Sequence, residues 1–245
     1  MAKASRWSLD FLTLSVFRVP VGSKVILILA ESSLELIPPE IQSHPLILRD
    51  ARRRGKEPRS ILLDKARHYK AMRGLPKSEK RGRPDIVHMS MLAFQYSVLN
   101  MKGMGRMFVH TINDVVIRLR SDARIPKNYW NFVGLMEQLL NAGAVPPWGE
   151  PLLIAERKSL RELLRELGGR WIVLHEEGNR VDPLELGRAL ANSVVVVGGF
   201  PHGDFEDKRI LRDASSVFRI SDMPLDAWQV VFRAVTLAEI SLGLI

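Results

Sequence analysis

Apolar residues in this chain alternate between short continuous runs and helical stripes. Lys24 to Ala30, KVILILA, is an unbroken apolar run bounded by Gly22 and the polar ESS, the pattern of a buried strand, and SILLD, Ser60 to Asp64, predicts a second. The stretch between them is broken by prolines and then turns basic. KARHYKAMRGLPKSEKRGR, which follows the second run, is polar and punctuated by glycine and proline, so a mobile loop is expected in this region. RPDIVHMSMLAFQYSVLN opens a helix, with Pro84 suited to the first helical position and Asp85 to the first turn, where the macrodipole favours an anion. RMFVHTIND followed by VVIRLR predicts a hairpin turning at Asn113 and Asp114, residues that tolerate positive φ. Phe132, Leu135, Met136, Leu139 and Leu140 follow helical spacing, and Gly143 stops that helix.

AVPPWGEP, Ala144 to Pro151, is the best candidate for a boundary or hinge, and after it the pattern becomes regular. LLIA is a strand, and Ser159 with Glu162 forms a capping box for LRELLREL, which Gly168 and Gly169 end. WIVLH is a strand, and Asp182, Pro183 and Glu185 open the helix LELGRALAN in the same way. VVVV and VFRI are further strands, and PLDAWQVVFRAVTLAEISLGLI is a final amphipathic helix. Strands alternating with helices imply an α/β fold with a mostly parallel sheet, and such sheets bind ligands at the carboxyl ends of their strands.

Composition narrows the class. With 245 residues, 46% of them hydrophobic, the chain can bury one substantial core or two modest ones. No run of about 18 apolar residues lacks a charge, and the start has neither the basic flank nor the cleavage site of a signal peptide, so a cytoplasmic protein without a membrane span is expected. Cysteine is absent, which excludes disulfides, thiolate metal sites and a thiol nucleophile. The net charge is +9, and it is concentrated. Residues 49–83 carry fourteen basic and four acidic side chains, +10, so the rest of the chain nearly balances at −1. A solvated charged face and a phosphate-binding surface both produce such a run; the concentration favours a polyanionic partner.

Candidate chemistry is sparse. VVVVGGFPHGDF, Val194 to Phe205, is neither a dinucleotide fingerprint nor a P-loop, so Gly198, Gly199 and Gly203 serve either a tight turn or a ligand cradle. The six histidines show no metal-ligand spacing with a carboxylate, His88 and His110 read as structural, and no Gly-x-Ser-x-Gly elbow occurs. No metal is expected. Arg83, Arg124 and Lys127 stand at the openings of two helices, where a cation beside free backbone donors makes a phosphate or base clamp. Asp85 either caps its helix or holds the Arg83 guanidinium by a paired hydrogen bond. Of Tyr129, Trp130 and Phe132, most belong to a core, and one exposed ring can stack on a base.

Three motifs in fixed order, EKRGRPDIVHMSML, RIPKNYWNFVGLMEQLL and VVGGFPHGDF, resemble the ribosome-biogenesis methyltransferases of the SPOUT superfamily that methylate nitrogen-1 of a pseudouridine in small-subunit ribosomal RNA. The likeness runs from Lys24 to the C-terminus and looks archaeal in its compact form. It implies a trefoil-knotted α/β domain over 24–245, with a family-specific basic loop and hairpin insertion, preceded by an extension, 1–23. Residues 49–83 would be an RNA-binding segment and 171–245 the cofactor-binding knot region. S-adenosylmethionine is the implied cofactor, and the implied partners are small-subunit rRNA, the pre-ribosomal particle and a second copy of the chain, with the last helix as interface material. By the same likeness Leu174, Gly198, Gly203, Ser216, Val217, Phe218, Arg219, Ile220 and Ser221 enclose the cofactor. Arg83, Arg124, Lys127 and Asn131 fall at RNA contacts, with Asp85 steadying Arg83.

The chain also departs from this pattern. Relatives carry arginine at the positions of Lys127 and Asn131, and Asp-Ser-Pro where this chain has Tyr96, Ser97 and Val98. A proton-acceptor role for that aspartate does not carry over, and no general base is named by the sequence. Two rival functions fit the same residues: an RNA-binding assembly factor whose methylation is weak or dispensable, and a nucleotide-dependent α/β enzyme unrelated to RNA.

Overall fold

The computed structural model describes Gly22 and residues 24–245, so the expected N-terminal extension, Gly22 apart, lies outside the described residues. The first apolar run is β1 (Val25–Ser32). Leu27 and Leu29 point into one core and Ile28 and Ala30 into another, which explains a run with no polar alternation.

Ser60 to Asp64 does not become a strand of the sheet. Its only ladder contact among the described residues is an isolated antiparallel bridge between Leu62 and Leu36, with Ile37 N donating to Ile61 O (2.8 Å) and Leu63 N to Glu35 O (2.9 Å). The expected loop around it is two helices instead. His44 accepts from Leu46 N to open α1 (Pro45–Arg54), which Gly55 closes at φ 60°, and Asp64 accepts from Ala66 N to open α2 (Lys65–Met72). The reason is burial that a charge count hides: Ile47, Ala51, Ile61, Leu63, Ala71 and Met72 form a third hydrophobic cluster under the basic surface. A short apolar run has no period of its own that separates a strand from a buried connecting segment.

Pro84 starts α3 (Pro84–Gln95) as expected, and a short α4 (Val98–Met101) follows. β2 (Gly105–Thr111) and β3 (Val115–Leu119) form the expected hairpin, with Asp114 at φ 53°. α5 (Tyr129–Ala142) is capped by Asn128 and stopped by Gly143 at φ 87°. β4 (Ala144–Val145) pairs with β5 (Leu153–Arg157), so the expected boundary or hinge supplies an edge strand of the same sheet. α6 (Leu160–Glu166) carries the Ser159–Glu162 capping box. β6 (Ile172–Arg180), α7 (Pro183–Leu190), β7 (Ser193–Gly198), the short α8 (Arg209–Arg212), β8 (Ser216–Arg219) and α9 (Ala227–Ser241) complete the chain. At α7 the Asp182 carboxylate accepts from the amides of Leu184 and Glu185.

The sheet order is β4-β5-β3-β2-β1-β7-β6-β8. β2, β1, β7, β6 and β8 run parallel to one another, and β3, β5 and β4 are added antiparallel. The α/β, mostly parallel expectation is borne out.

One carboxylate ties the basic insertion to the rest. Glu137 of α5, 2% exposed, accepts from Arg54 (2.7 Å), Lys56 (2.5 Å) and the Leu62 amide (3.0 Å). Burial alone would raise its pKa, but these donors outweigh burial and hold it below the ordinary 4.5. A depressed carboxylate contributes stability that is present above pH 4.5 and is lost as the pH falls through the folded-state value. Glu137→Ala is expected to lower the unfolding free energy by about 3–5 kcal/mol, because it strands two cations and an amide. In urea titrations Glu137→Gln should also flatten the acid limb of stability below pH 4.5; an unchanged limb would refute the assignment.

Candidate active site

A cavity of about 320 Å³ opens at the carboxyl ends of β7 and β8, where β6 leaves its pairing with β7 after Leu174, the position that a parallel sheet dictates for a ligand. Leu174, Gly198, Gly203, Arg219, Ile220 and Ser221, all expected cofactor residues, line it. Ser216, Val217 and Phe218 are not in its wall: they form β8 and pair with Ile172, Val173 and Leu174, carrying the chain up to the rim. The motifs passed over most of the apolar lining. Phe200 and Pro201 sit inside the glycine loop that had already been singled out, while Met223, Pro224, Leu225 and Val230 follow β8 without any motif of their own.

The glycine loop is held from behind. Gly199 N donates to Ala30 O (2.7 Å) and Gly199 O accepts from Ser33 N (2.9 Å), so the loop continues the β1–β7 ladder past the sheet's end. A Cβ on Gly198 would meet the Phe200 ring at 2.8 Å, and Gly203 needs φ +85°. The loop is thus a tight turn whose glycines bring backbone to the wall of the cavity. Beneath it lies Lys80, 5% exposed, from the end of the basic segment. Its ammonium donates to Asp204 O and to Glu206 Oε1 (2.7 Å), stands 3.8 Å from Glu31 Oε2 and lies 4.7 Å from the centre of the Phe200 ring. Glu31, at φ 49°, accepts from Glu206 N through both oxygens (3.0 and 2.9 Å). Burial pushes the Glu31 carboxyl above its ordinary value, against the opposing pull of the Glu206 amide and Lys80.

Next to the glycine loop stands Arg83. Arg83 and Asp85 form the paired hydrogen bond expected of them, Nε to Oδ1 at 2.8 Å and Nη2 to Oδ2 at 2.7 Å, with both side chains half exposed. Arg83 N donates to Ser33 Oγ (2.8 Å), and Ser33 N donates to Gly199 O. One buried serine therefore joins the guanidinium's backbone to the glycine loop. Arg124, Lys127 and Asn131 are exposed around the start of α5. Their segment is fixed by α3: Gln95 donates to the carbonyls of Arg120, Ser121 and Ala123, Tyr96 Oη donates to Ile125 O (2.9 Å), and His88 bonds Pro126 O (2.7 Å). His88 and His110 are structural as expected, His110 bonding Glu31 N and Asp114. Among the described residues no group of three or more metal-ligating side chains occurs.

A profile of the EMG1/NEP1 methyltransferase family matches residues 27–239. The chain belongs to the EMG1/NEP1 methyltransferase family. Its relatives include the ribosomal RNA small subunit methyltransferase Nep1 of Pyrobaculum calidifontis, 60% identical over 90% of this chain and 100% of that one. The Nep1 of Thermococcus kodakarensis is 44% identical over 89% of this chain and 99% of the relative. Among solved structures, Archaeoglobus fulgidus Nep1 bound to S-adenosylhomocysteine superimposes with a TM-score of 0.80 at 35% identity, covering 90% of this chain and 99% of that one. The family that the three motifs suggested is the family to which the chain belongs.

Lys80 offers a test of how the loop is held. Lys80→Met should leave Glu31 without its counter-charge and Asp204 O without its donor, so that amides 199–206 exchange hydrogen faster by at least about ten-fold. Lys77→Met, which removes an exposed lysine from the same Glu206, should leave that exchange near wild type. Equal exchange in the two variants would show that the buried ammonium does not hold the loop.

Proposed function

We propose that this protein transfers a methyl group from S-adenosylmethionine to nitrogen-1 of a pseudouridine in a hairpin loop of small-subunit rRNA, acting in small-subunit biogenesis. The observation that carries this reading is the Arg83–Ser33–Gly199 connection, which sets a directed guanidinium against the rim of a cofactor-sized cavity. The cavity suits the cofactor. Leu174, Val197, Phe200 and Leu225 offer apolar walls to a nucleoside, the glycine loop brings backbone close, and the buried Nε of Arg219 has no hydrogen-bond partner among the described residues. When bound, S-adenosylmethionine supplies a methyl group already activated by its sulfonium, so no metal is required.

The protein's own residues bind and orient. Pseudouridine is joined to its sugar through carbon, which leaves a ring N–H that uridine lacks, and the base must be turned out of its loop to reach the cavity. Arg83, aimed by Asp85, holds that base, while Arg124 and Lys127 take the phosphates. Catalysis is then chiefly alignment of the ring nitrogen with the methyl carbon. Tyr96 donates its hydroxyl to Ile125 O and turns its ring face to Lys127 (5.4 Å), so the family carboxylate has no counterpart there, no side chain is assigned as general base, and the proton passes to water.

This reading takes residues 24–245 as one knotted domain. In its support, the chain leaves β7 beside β1, crosses to the far edge at β8 and returns to pack α9 on α7 and α3. It also takes the protein as a cytoplasmic homodimer that meets its RNA in a pre-ribosomal particle. Phe232 and Ile240 of α9, 58% and 42% exposed, support a second copy as their cover. The loss of the family carboxylate at Tyr96 favours one alternative, an RNA-binding assembly factor with dispensable methylation.

Incubating the protein with labelled methyl donor and matched hairpins containing uridine or pseudouridine should label only the latter. Labelling of both, or of neither, rejects the mechanism, and absence of S-adenosylhomocysteine binding by calorimetry leaves only the assembly factor. Arg83→Ala should lose RNA affinity and retain S-adenosylhomocysteine; loss of both would indicate misfolding.

A further inference from the structure

An indole ring stands in the open at the start of α5. Trp130 is 56% exposed, the second residue of α5, with its amide donating to Asn128 Oδ1 (2.9 Å). The Tyr129 ring meets it edge-on at 5.2 Å, and Tyr129 is anchored through its hydroxyl to Asp64 Oδ2 (2.7 Å). Burial and the Asp64 carboxylate push the Tyr129 phenol well above its ordinary pKa, so it remains a donor to that carboxylate. From α2 the Arg67 guanidinium lies 5.2 Å from the Trp130 ring centre and is itself held by the buried Asp50 carboxylate. The ring is thus fixed at its backbone, along one edge and against a guanidinium that has its own anchor. Its indole N–H donates to nothing among the described residues.

A ring held on its backbone, at one edge and by a guanidinium loses little freedom when a flat partner settles on it, so it is preorganised for stacking. The neighbouring side chains point to what covers it. Lys127 and Asn131 flank Trp130 in sequence, Arg67 stacks against it, and the segment that carries Arg67 holds the whole positive excess of the chain. An acidic or apolar protein surface needs no planar ring backed by a guanidinium; an unpaired nucleotide supplies both a phosphate for nearby cations and a flat base for the ring. Resting on the RNA-methylation reading, we propose that Trp130, backed by Arg67, is a stacking platform for one unpaired base of the substrate RNA, a base other than the one that Arg83 directs to the cavity. The platform recognises a flipped-out loop nucleotide by its π-face and tolerates any of the four bases.

Stacking and phosphate contact respond differently to salt, and the test uses this. The pseudouridine hairpin is titrated against the wild-type protein, Trp130→Ala and Trp130→Phe over a range of salt, and the titrations are repeated with each loop nucleotide made abasic in turn. Trp130→Ala should weaken binding about ten-fold at every salt concentration with the slope unchanged, and Trp130→Phe should keep most of the affinity. One abasic position should weaken the wild type by a similar factor and leave Trp130→Ala indifferent. S-adenosylhomocysteine affinity equal to wild type shows that each variant is folded. The proposal is overturned if Trp130→Ala binds like wild type, or if every abasic RNA loses the same factor in both proteins, which would make the ring structural. Wild-type protein with no salt-dependent affinity for the hairpin would instead remove the RNA reading on which the platform rests.

Discussion

A charged ammonium taken out of water must find oppositely charged and carbonyl oxygens or give up several kcal/mol, and Lys80 meets that demand with three groups from two distant parts of the chain. Glu31 comes from the end of β1, and Glu206 and the Asp204 carbonyl come from the loop after β7. Satisfying one lysine therefore brings together the basic segment, the central strand and the glycine loop. The Phe200 ring, which lines the cavity, lies under the same ammonium, so the wall of the cavity depends on this pairing. Glu31 sits at positive φ with a carboxyl raised by burial, a strained arrangement that the surrounding hydrogen bonds maintain.

The same logic of shared anchors runs through the basic segment. Glu137 holds the insertion against α5 by accepting from Arg54, Lys56 and the Leu62 amide, and Asp50 gathers Arg53 and Arg67. Burial by itself would raise the Asp50 carboxyl, yet Arg67, His68 and Arg53 together hold it below its ordinary value. These pairings consume part of the positive charge of residues 49–83. What remains of it at the surface, together with Arg124 and Lys127 outside that segment, is what a polyanion meets, so net charge overstates the number of cations free to bind phosphate. Ser33 then connects the two halves of the site through a pair of short hydrogen bonds, Arg83 on one side and Gly199 on the other. The Arg83 backbone and the glycine loop therefore share that serine.

Much of this was legible along the chain, and for local reasons. The capping residues Ser159 and Asp182, the Asp114 turn and the Gly143 stop act within a few residues, and each appears where the pattern placed it. The Arg83–Asp85 pair, two residues apart, was legible for the same reason. The insertion was misread because its apolar residues are separated by basic ones and its cluster closes only when Ile37, Ile61 and Met72 meet across some thirty-five positions. Phe200, Leu225 and Val230 were missed as lining because apolar side chains carry no chemical signature until a cavity forms around them.

The residues by themselves determined the alternation of strands and helices, the concentration of charge and the family, because these depend on side-chain type and near-neighbour spacing. Only the tertiary structure decided which cations are already neutralised, that the glycine loop is braced by a lysine more than a hundred residues upstream, and which of three adjacent aromatic rings remains in water. Those outcomes depend on distances between segments far apart in the chain, and burial and pairing are properties of the folded neighbourhood of a side chain.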